Sequence, residues 1–325
     1  MRVSLLPVEV ATYEPHVLHT AERAWTETNC YVDLWIEVLH ALGLDPVAGA
    51  AFTLSSDFEG DQWTMFKYPT EDLRSLYGLD LAELNVWRPL IDHIEEQLTF
   101  GRLLTVDVDA WYLPDTQGMT YQTDHQKTTI MPQMVDRELR TLGYFHNAGY
   151  FELSGDDFDG LLRLGEHADP PSVLPPYVEV VKLERMGALH GAELVDTVRA
   201  ITTSHLARRP TTNPMLRFQK RLEEDLSWLG AQDMATFHRY AFGTCRQCGA
   251  NAELAATFVE WLDPRDEGGL SATAAAFRDI SDGAKVLQFS LARAARGRTI
   301  DVAPTLGQMA QAWEKAMAGL LDRYS

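Results

Sequence analysis

From Cys30 the chain reads CYVDLWIEVLHALG, apolar at nearly every position except Asp33, Glu37 and His40. Those three stand four and three residues apart, so they share one narrow face of an α-helix that is otherwise apolar all round. The pattern predicts a largely buried helix that starts with Cys30 behind the N-cap pair Thr28-Asn29 and stops at Gly43. Next, AFTLSSDF and DQWTMFKY flank Glu59-Gly60 and read as a β-hairpin. Arg88 to Phe100 has helical spacing and ends at Gly101. In LLTVDVDAWYL, alternation predicts a strand with Leu104, Val106 and Val108 on one face and Thr105, Asp107 and Asp109 on the other. KTTIMPQMV and LGYFHNAGY follow as two strands joined by the polar turn Asp136-Arg137-Glu138. Pro132 cannot donate to a strand ladder, which marks its strand as an edge or a bulge.

The pattern changes near residue 170. The stretch EHADPPSVLPP, Glu166 to Pro176, is the most linker-like in the chain. Beyond it, Ala, Leu, Arg and Glu recur at helical spacing, and helices are expected over about 188–206, 213–229, 232–242, 249–262, 270–296 and 304–322. Pro210, Pro264 and Pro304 fall between them. The expectation is an α+β domain with a small antiparallel sheet over 1–170, followed by a helical domain over 171–325.

Composition narrows the function classes. The chain has 325 residues, 46% hydrophobic and 23% charged, which argues against disorder. No apolar run approaches the roughly 18–20 residues of a membrane span. The N-terminal MRVSLLPVEVATYEPH is too broken by Pro and Glu for a signal peptide, so a cytoplasmic location is expected. The formal charge of −19 argues against nucleic acid and anionic membrane as partners, since both reward clustered Lys and Arg. Arg208, Arg209, Arg217, Lys220 and Arg221 form the one basic cluster. It reads as a docking patch for an acidic partner or as a solvated helix face. Three cysteines, Cys30, Cys245 and Cys248, do not make a disulfide framework. Cys245-Arg-Gln-Cys248 has no second pair to complete a closed zinc site, so no metal is expected. Neither a Walker A motif nor G-x-G-x-x-G occurs, so no bound nucleotide cofactor is expected.

The position of Cys30 carries the sharpest chemistry. Unpaired N–H groups and a positive partial charge at a helix start stabilise a thiolate, the nucleophilic form of cysteine. The same N–H groups can stabilise the oxyanion of a tetrahedral intermediate. The competing reading is a structural buried cysteine. His125, just before the KTTIMPQMV strand, is the candidate base. His146 and Asn147, taken as strand neighbours, point to opposite faces, so only one can orient His125. Asn147 completes Cys–His–Asn in chain order, leaving His146 as a packed residue or a substrate contact. Asp107 and Asp109 share a strand face and suit the orienting of a histidine better than the binding of a metal. Trp63, Trp87, Trp111 and Tyr112 line a substrate channel or fill the core.

Several blocks carry a resemblance: ETNCYVDLWIEVLHALGLDP, DFEGDQWTMFK, LNVWRPLIDHIEEQLTFGRLLTVDVDAWYLPDT, HQKTTI and LGYFHNAGYFELSGDDFDGL. Together they resemble a bacterial domain-of-unknown-function family found near amino-acid:carrier-protein ligase systems. The layout also resembles, more remotely, the butirosin-type acyltransferases and bacteriocin-leader peptidases of papain-like fold. Positions matching that pattern are Cys30, Gly101, Asp109 to Pro114, His125 and Asn147. The resemblance implies a papain-like cysteine domain in which Cys30 takes an aminoacyl group from a carrier-protein thioester and passes it to a small-molecule amine. The donor is then the phosphopantetheine arm of the partner carrier protein, with no cofactor bound to the chain itself. The pattern's glutamine before the cysteine is missing, so Asn29 or backbone N–H groups would supply the oxyanion donor. The alternatives are a hydrolase on the same triad and a non-catalytic module that binds a carrier protein or small ligand.

Overall fold

The computed structural model describes residues 2–20, 22–168 and 173–324. The chain weaves between two compact units: Met1–Thr20, Cys30–Pro46 and Thr70–Ala188 form one, and Ala21–Asn29, Val47–Pro69 and Leu189–Ser325 the other.

The first unit is built on a seven-stranded antiparallel sheet. In chain order its elements are β1 (Arg2–Ser4), α1 (Val17–Thr20), α2 (Cys30–Ala41), α3 (Thr70–Tyr77), β2 (Asp80–Glu83), α4 (Leu90–Thr99), β3 (Arg102–Asp109), β4 (Lys127–Asp136), β5 (Thr141–His146), β6 (Gly149–Ser154), α5 (Asp156–Leu161) and β7 (Val178–Lys182). Strand order is β2-β7-β3-β4-β5-β6, with β1 on β4. Helix α2 is buried from Val32 to Leu39 and is followed by Gly43 at φ +73°, a conformation that glycine adopts without penalty. In β3, Leu104, Val106 and Val108 are buried, and Asp107 and Asp109 are partly exposed. Pro132 marks a bulge, not an edge: the β4–β5 register shifts between Pro132 and Met134, and β4 is paired on both sides.

Two expectations need correction here. LGYFHNAGY is a hairpin, not one strand, because His146 pairs with Gly149 and Asn147-Ala148 makes the turn. Asn147 sits at φ +45°, a left-handed conformation that asparagine tolerates better than most residues. The division expected at 170/171 falls too early. Val178–Lys182 lies between β2 and β3 in the sheet, so the first unit runs to Ala188. The centre of the expected linker, 169–172, lies outside the described residues.

The second unit is helical: α6 (Gly191–Ala207), α7 (Pro214–Leu229), α8 (Met234–Ala241), α9 (Gln247–Leu262), α10 (Ser271–Ala294) and α11 (Ala303–Tyr324). Asn213 caps α7 by accepting from the Met215 N–H, with Pro214 at the first helical position. Helix α10 packs against both α9 and α11. Residues 47–69 belong to this unit and are not the expected hairpin. Pro46–Ser55 winds as a 3₁₀ helix, and of the hairpin there is only a bridge between Phe58 and Trp63. Phe52, Phe58, Trp63, Phe66 and Tyr68 are all buried, and Phe58 and Trp63 pack on Phe218 of α7. Apolar residues needed in several directions override the period-two pattern that the sequence suggests.

Within α2, Asp33 and Glu37 are 1% and 0% exposed and share the buried side chain of His19. His19 Nε2 lies 3.3 Å from Asp33, and its Nδ1 bonds Glu37. The Tyr13 hydroxyl, at 2.5 Å, and the His16 N–H also donate to Glu37. Burial alone would lower the His19 pKa, but hydrogen bonds and charge from Asp33 and Glu37 raise it to about 9. Burial opposes ionisation of Glu37, whose bonds from His19 and Tyr13 nevertheless hold its pKa below the ordinary value. A raised histidine pKa stabilises the fold fully below about 6.5, and that stability is lost as pH rises through about 9. The expected NMR titration of His19 therefore has its midpoint near pH 9. The stability difference between wild type and His19→Gln should shrink from on the order of 3 kcal/mol at pH 6 as pH passes 9. A midpoint near 6.5 would contradict the buried ion cluster.

Candidate active site

One face of the sheet collects polar groups beside the start of α2. The hydroxyl of Tyr31, the residue after Cys30, donates to Glu179 on β7 at 2.8 Å. Glu179 stands directly opposite Thr105 on β3, and Thr105 donates to the same carboxylate oxygen at 2.9 Å. Opposed residues of an antiparallel pair share a face, as do alternate residues along a strand. Asp107 and Asp109 therefore lie on the Tyr31 side, with their partners Thr129 and Lys127. Two residues on, Met131 pairs with Phe145, whose ring meets Tyr13, itself bonded to Glu37 of α2. Both ends of α2 thus mark the same sheet face. Along it, polarity runs from buried Glu179 and Thr105, through Asp107 with Thr129 at 2.7 Å and Lys127 at 3.2 Å, to partly exposed Asp109.

His125 sits at the open end. Its Nδ1 is 2.6 Å from Asp109 Oδ2, and the ring stacks on Trp111 with centroids 4.4 Å apart and planes 9° apart. The other Asp109 oxygen accepts from the Trp111 N–H at 3.0 Å and caps the 3₁₀ turn Ala110–Tyr112. The Asp-x-Trp sequence thus builds a bracket: the turn fixes the carboxylate, the carboxylate engages Nδ1, and the indole holds the ring plane. With Nδ1 engaged, Nε2 is the nitrogen available to exchange protons. The His125 side chain is 65% exposed, so a substrate can reach it.

Cys30 is the first residue of α2 and is half-buried. No hydrogen bond joins it to His125 among the described residues. Cys245 and Cys248 are 0% and 2% exposed. Burial pushes the Cys245 thiol up to about 12 and the Cys248 thiol well above its ordinary value. Among the described residues no group of three or more His, Cys, Asp or Glu can hold a metal ion, and no helix is long and apolar enough to cross a membrane.

Other expected site residues lie elsewhere. His146 is 1% exposed, with Nδ1 2.6 Å from Asp115 and Nε2 2.8 Å from Thr128. It alternates with Phe145 and so points away from the α2 face. Asn147 occupies the β5–β6 turn, and Asp109 takes the orienting position beside His125 that the chain-order argument gave to asparagine. The Asn29 amide donates to the Phe66 carbonyl at 3.0 Å and is 2% exposed, which removes it as an oxyanion donor. Tyr112 packs on Gly160, where an added Cβ would lie 2.1 Å from its ring, and meets His167. Trp63 is core, and Trp87 is 73% exposed. Two charges of the basic cluster are paired, Arg217 with Asp57 and Arg221 with both oxygens of Asp225 at 2.9 Å, while Arg208 and Arg209 lie against His205 and the Leu206 carbonyl. Lys220 is exposed. Sequence reasoning missed Glu179, Tyr31 and Tyr177, whose hydroxyl donates to Glu179 at 3.1 Å. The alternation in VEVVK, 178–182, was the available signal.

Residues 14–183 match the family model of the DUF1839 N-terminal domain, and residues 191–322 match that of the DUF1839 C-terminal domain. No curated protein matches the chain.

Differences in burial predict how the thiols react. Iodoacetamide at pH 7–8, followed by peptide mapping, should label Cys30 at least a hundredfold faster than Cys245 or Cys248. Equal or preferential labelling of the C-x-x-C pair would overturn the assignment of Cys30 as the accessible thiol.

Proposed function

The chain belongs to the DUF1839 family, and on that footing we propose that its sheet-bearing unit is a papain-like thiol acyltransferase. The observation that carries the proposal is the Asp109–His125 pair on the sheet face that also receives the cysteine-bearing end of α2. Cys30 gives its thiol proton to His125 Nε2 as Sγ attacks the carbonyl of an acyl thioester, and the backbone N–H groups of the first turn of α2 stabilise the oxyanion. Collapse of the tetrahedral intermediate expels the donor thiol, which takes a proton from His125 Nε2. An amine then attacks the Cys30 thioester, gives its proton to the same nitrogen, and leaves as an amide while Sγ is released. Asp109 keeps the imidazole in one tautomer and stabilises the imidazolium that forms within each half-reaction, first when Cys30 and later when the amine gives up its proton. Exchange from one thioester to another is close to isoenergetic, so the site contributes mainly positioning and charge stabilisation.

The donor in this reading is an acyl or aminoacyl group on the phosphopantetheine arm of a carrier protein, and the acceptor is a small amine. A free thiol nucleophile suits a reducing, cytoplasmic setting. The ion pairs of Arg217 and Arg221 argue against docking an acidic carrier through the Arg208–Arg221 cluster. The exposure of His125 favours a second outcome, in which water takes the acyl group and the enzyme is a thioesterase or amidase.

Incubation with an S-acyl-pantetheine donor should add one acyl mass, located on Cys30. Cys30→Ala should abolish the adduct. His125→Ala should slow acylation by roughly 10²-fold or more, with a smaller loss for Asp109→Asn. Turnover with an added amine, followed by product analysis, separates transfer from hydrolysis. No adduct with any thioester, or an adduct that persists in Cys30→Ala, would refute the assignment.

A further inference from the structure

The segment 110–124, between β3 and β4, carries the parts of the His125 bracket at its two ends. Trp111 stands near its start, and His125 follows directly after it. Backbone bonds draw those ends together: the Ala110 N–H donates to the Gln126 carbonyl at 2.8 Å, and the Gln122 N–H to the Trp111 carbonyl at 3.1 Å. The stack of His125 on Trp111 is thus a contact between the two ends of one closed loop.

A buried charge fixes the middle of the loop. The Asp115 side chain is 4% exposed and engages both oxygens: Oδ1 accepts from the Tyr144 hydroxyl at 2.5 Å, and Oδ2 lies 2.6 Å from His146 Nδ1. His146 Nε2 is in turn 2.8 Å from the Thr128 hydroxyl. Tyr144 and His146 alternate with Phe145 on β5, and Thr128 alternates with Thr129 on β4. All three therefore stand on the sheet face opposite the candidate site. Burial first, then the Asp115 charge, raises the Tyr144 pKa, which keeps the phenol a donor. Separating a buried carboxylate from its partners leaves an uncompensated charge, so Asp115 resists displacement. Leu113, 0% exposed, lies between it and Trp111. We propose that Asp115 and His146 are positioning residues for His125. Anchored on the back of the sheet, they fix the loop whose ends hold the imidazole against Asp109 and Trp111. The proposal rests on the reading of His125 as the proton carrier, and it gives His146 an indirect part, through Asp115.

Two readouts on the intact chain test this, the stack by NMR and the chemistry by rate. In wild type the ring current of the Trp111 indole should hold the His125 ring protons upfield of those of an exposed histidine, with the resonances assigned by their loss in His125→Gln. Asp115→Ala should return them toward the exposed-histidine position. Asp115→Asn should keep them upfield, because its amide can accept from Tyr144 and donate to His146 in the other tautomer. With an S-acyl-pantetheine donor, Asp115→Ala should slow acylation of Cys30 by roughly 10²-fold, and Asp115→Asn should restore most of the rate. Ring protons unmoved in folded Asp115→Ala, or ring protons moved with the acylation rate unchanged, would overturn the inference. If Asp115→Ala does not fold, Tyr144→Phe takes its place, since it removes one of the two bonds to the carboxylate, and unmoved ring protons there would overturn the inference equally. Ring protons that move as described, with no acylation even in wild type, would support the anchoring of His125 and refute the acyltransferase reading.

Discussion

Helix α2 takes two carboxylates, Asp33 and Glu37, into the interior of the sheet-bearing unit, and the arrangement around it follows from neutralising them. An isolated buried carboxylate is too costly to keep ionised, so the chain before α2 folds back to supply partners. His19 reaches both carboxylates, and Tyr13 and the His16 N–H complete Glu37. Tyr13 also lies against Phe145 and Tyr150 of the sheet, so the same residue links the buried charge to β5 and β6. At the other end, Tyr31 fixes the start of the helix to Glu179. The helix is held at both ends by phenol–carboxylate bonds, and the position of Cys30 follows from that clamping.

The sheet then does for His125 what the clamps do for Cys30. Asp109 ends β3 and caps the turn that follows, so its carboxylate is fixed by backbone geometry before it meets an imidazole. Trp111 restricts the ring from one side. A histidine this exposed would otherwise sample many rotamers, and the bracket selects one at little cost in buried polar surface.

The helices of the second unit were the most legible part of the sequence, because 3.6-residue spacing, Pro interruptions and the Asn213-Pro214 cap are local signals. Helix α2, the alternation in β3 and the disturbance at Pro132 were legible for the same reason. Asp109 beside His125 was among the alternatives the sequence offered, because strand alternation fixes which side chains share a face. What failed were readings that depend on partners distant in the chain. AFTLSSDF looks like a strand until the aromatic residues around it are seen to need burial against helices. Val178–Lys182 lies beyond a Pro-rich stretch and joins β2 and β3 only through pairing with residues distant in the chain, so local pattern does not reveal Glu179. Asn147 looks like part of a strand in the sequence because a two-residue turn gives little warning beyond the asparagine itself.

The central claim is that Cys30 and His125 work as one site. The most direct measurement is reaction with 1,3-dibromoacetone, whose two reactive carbons flank a single carbonyl and bridge only side chains in near contact. After alkylation and digestion, the account predicts a single cross-linked peptide pair joining Cys30 to His125, absent in His125→Ala. Attachment at Cys30 alone, with His125 unmodified and the second bromide hydrolysed, would show that the two residues share a sheet face without sharing a reaction.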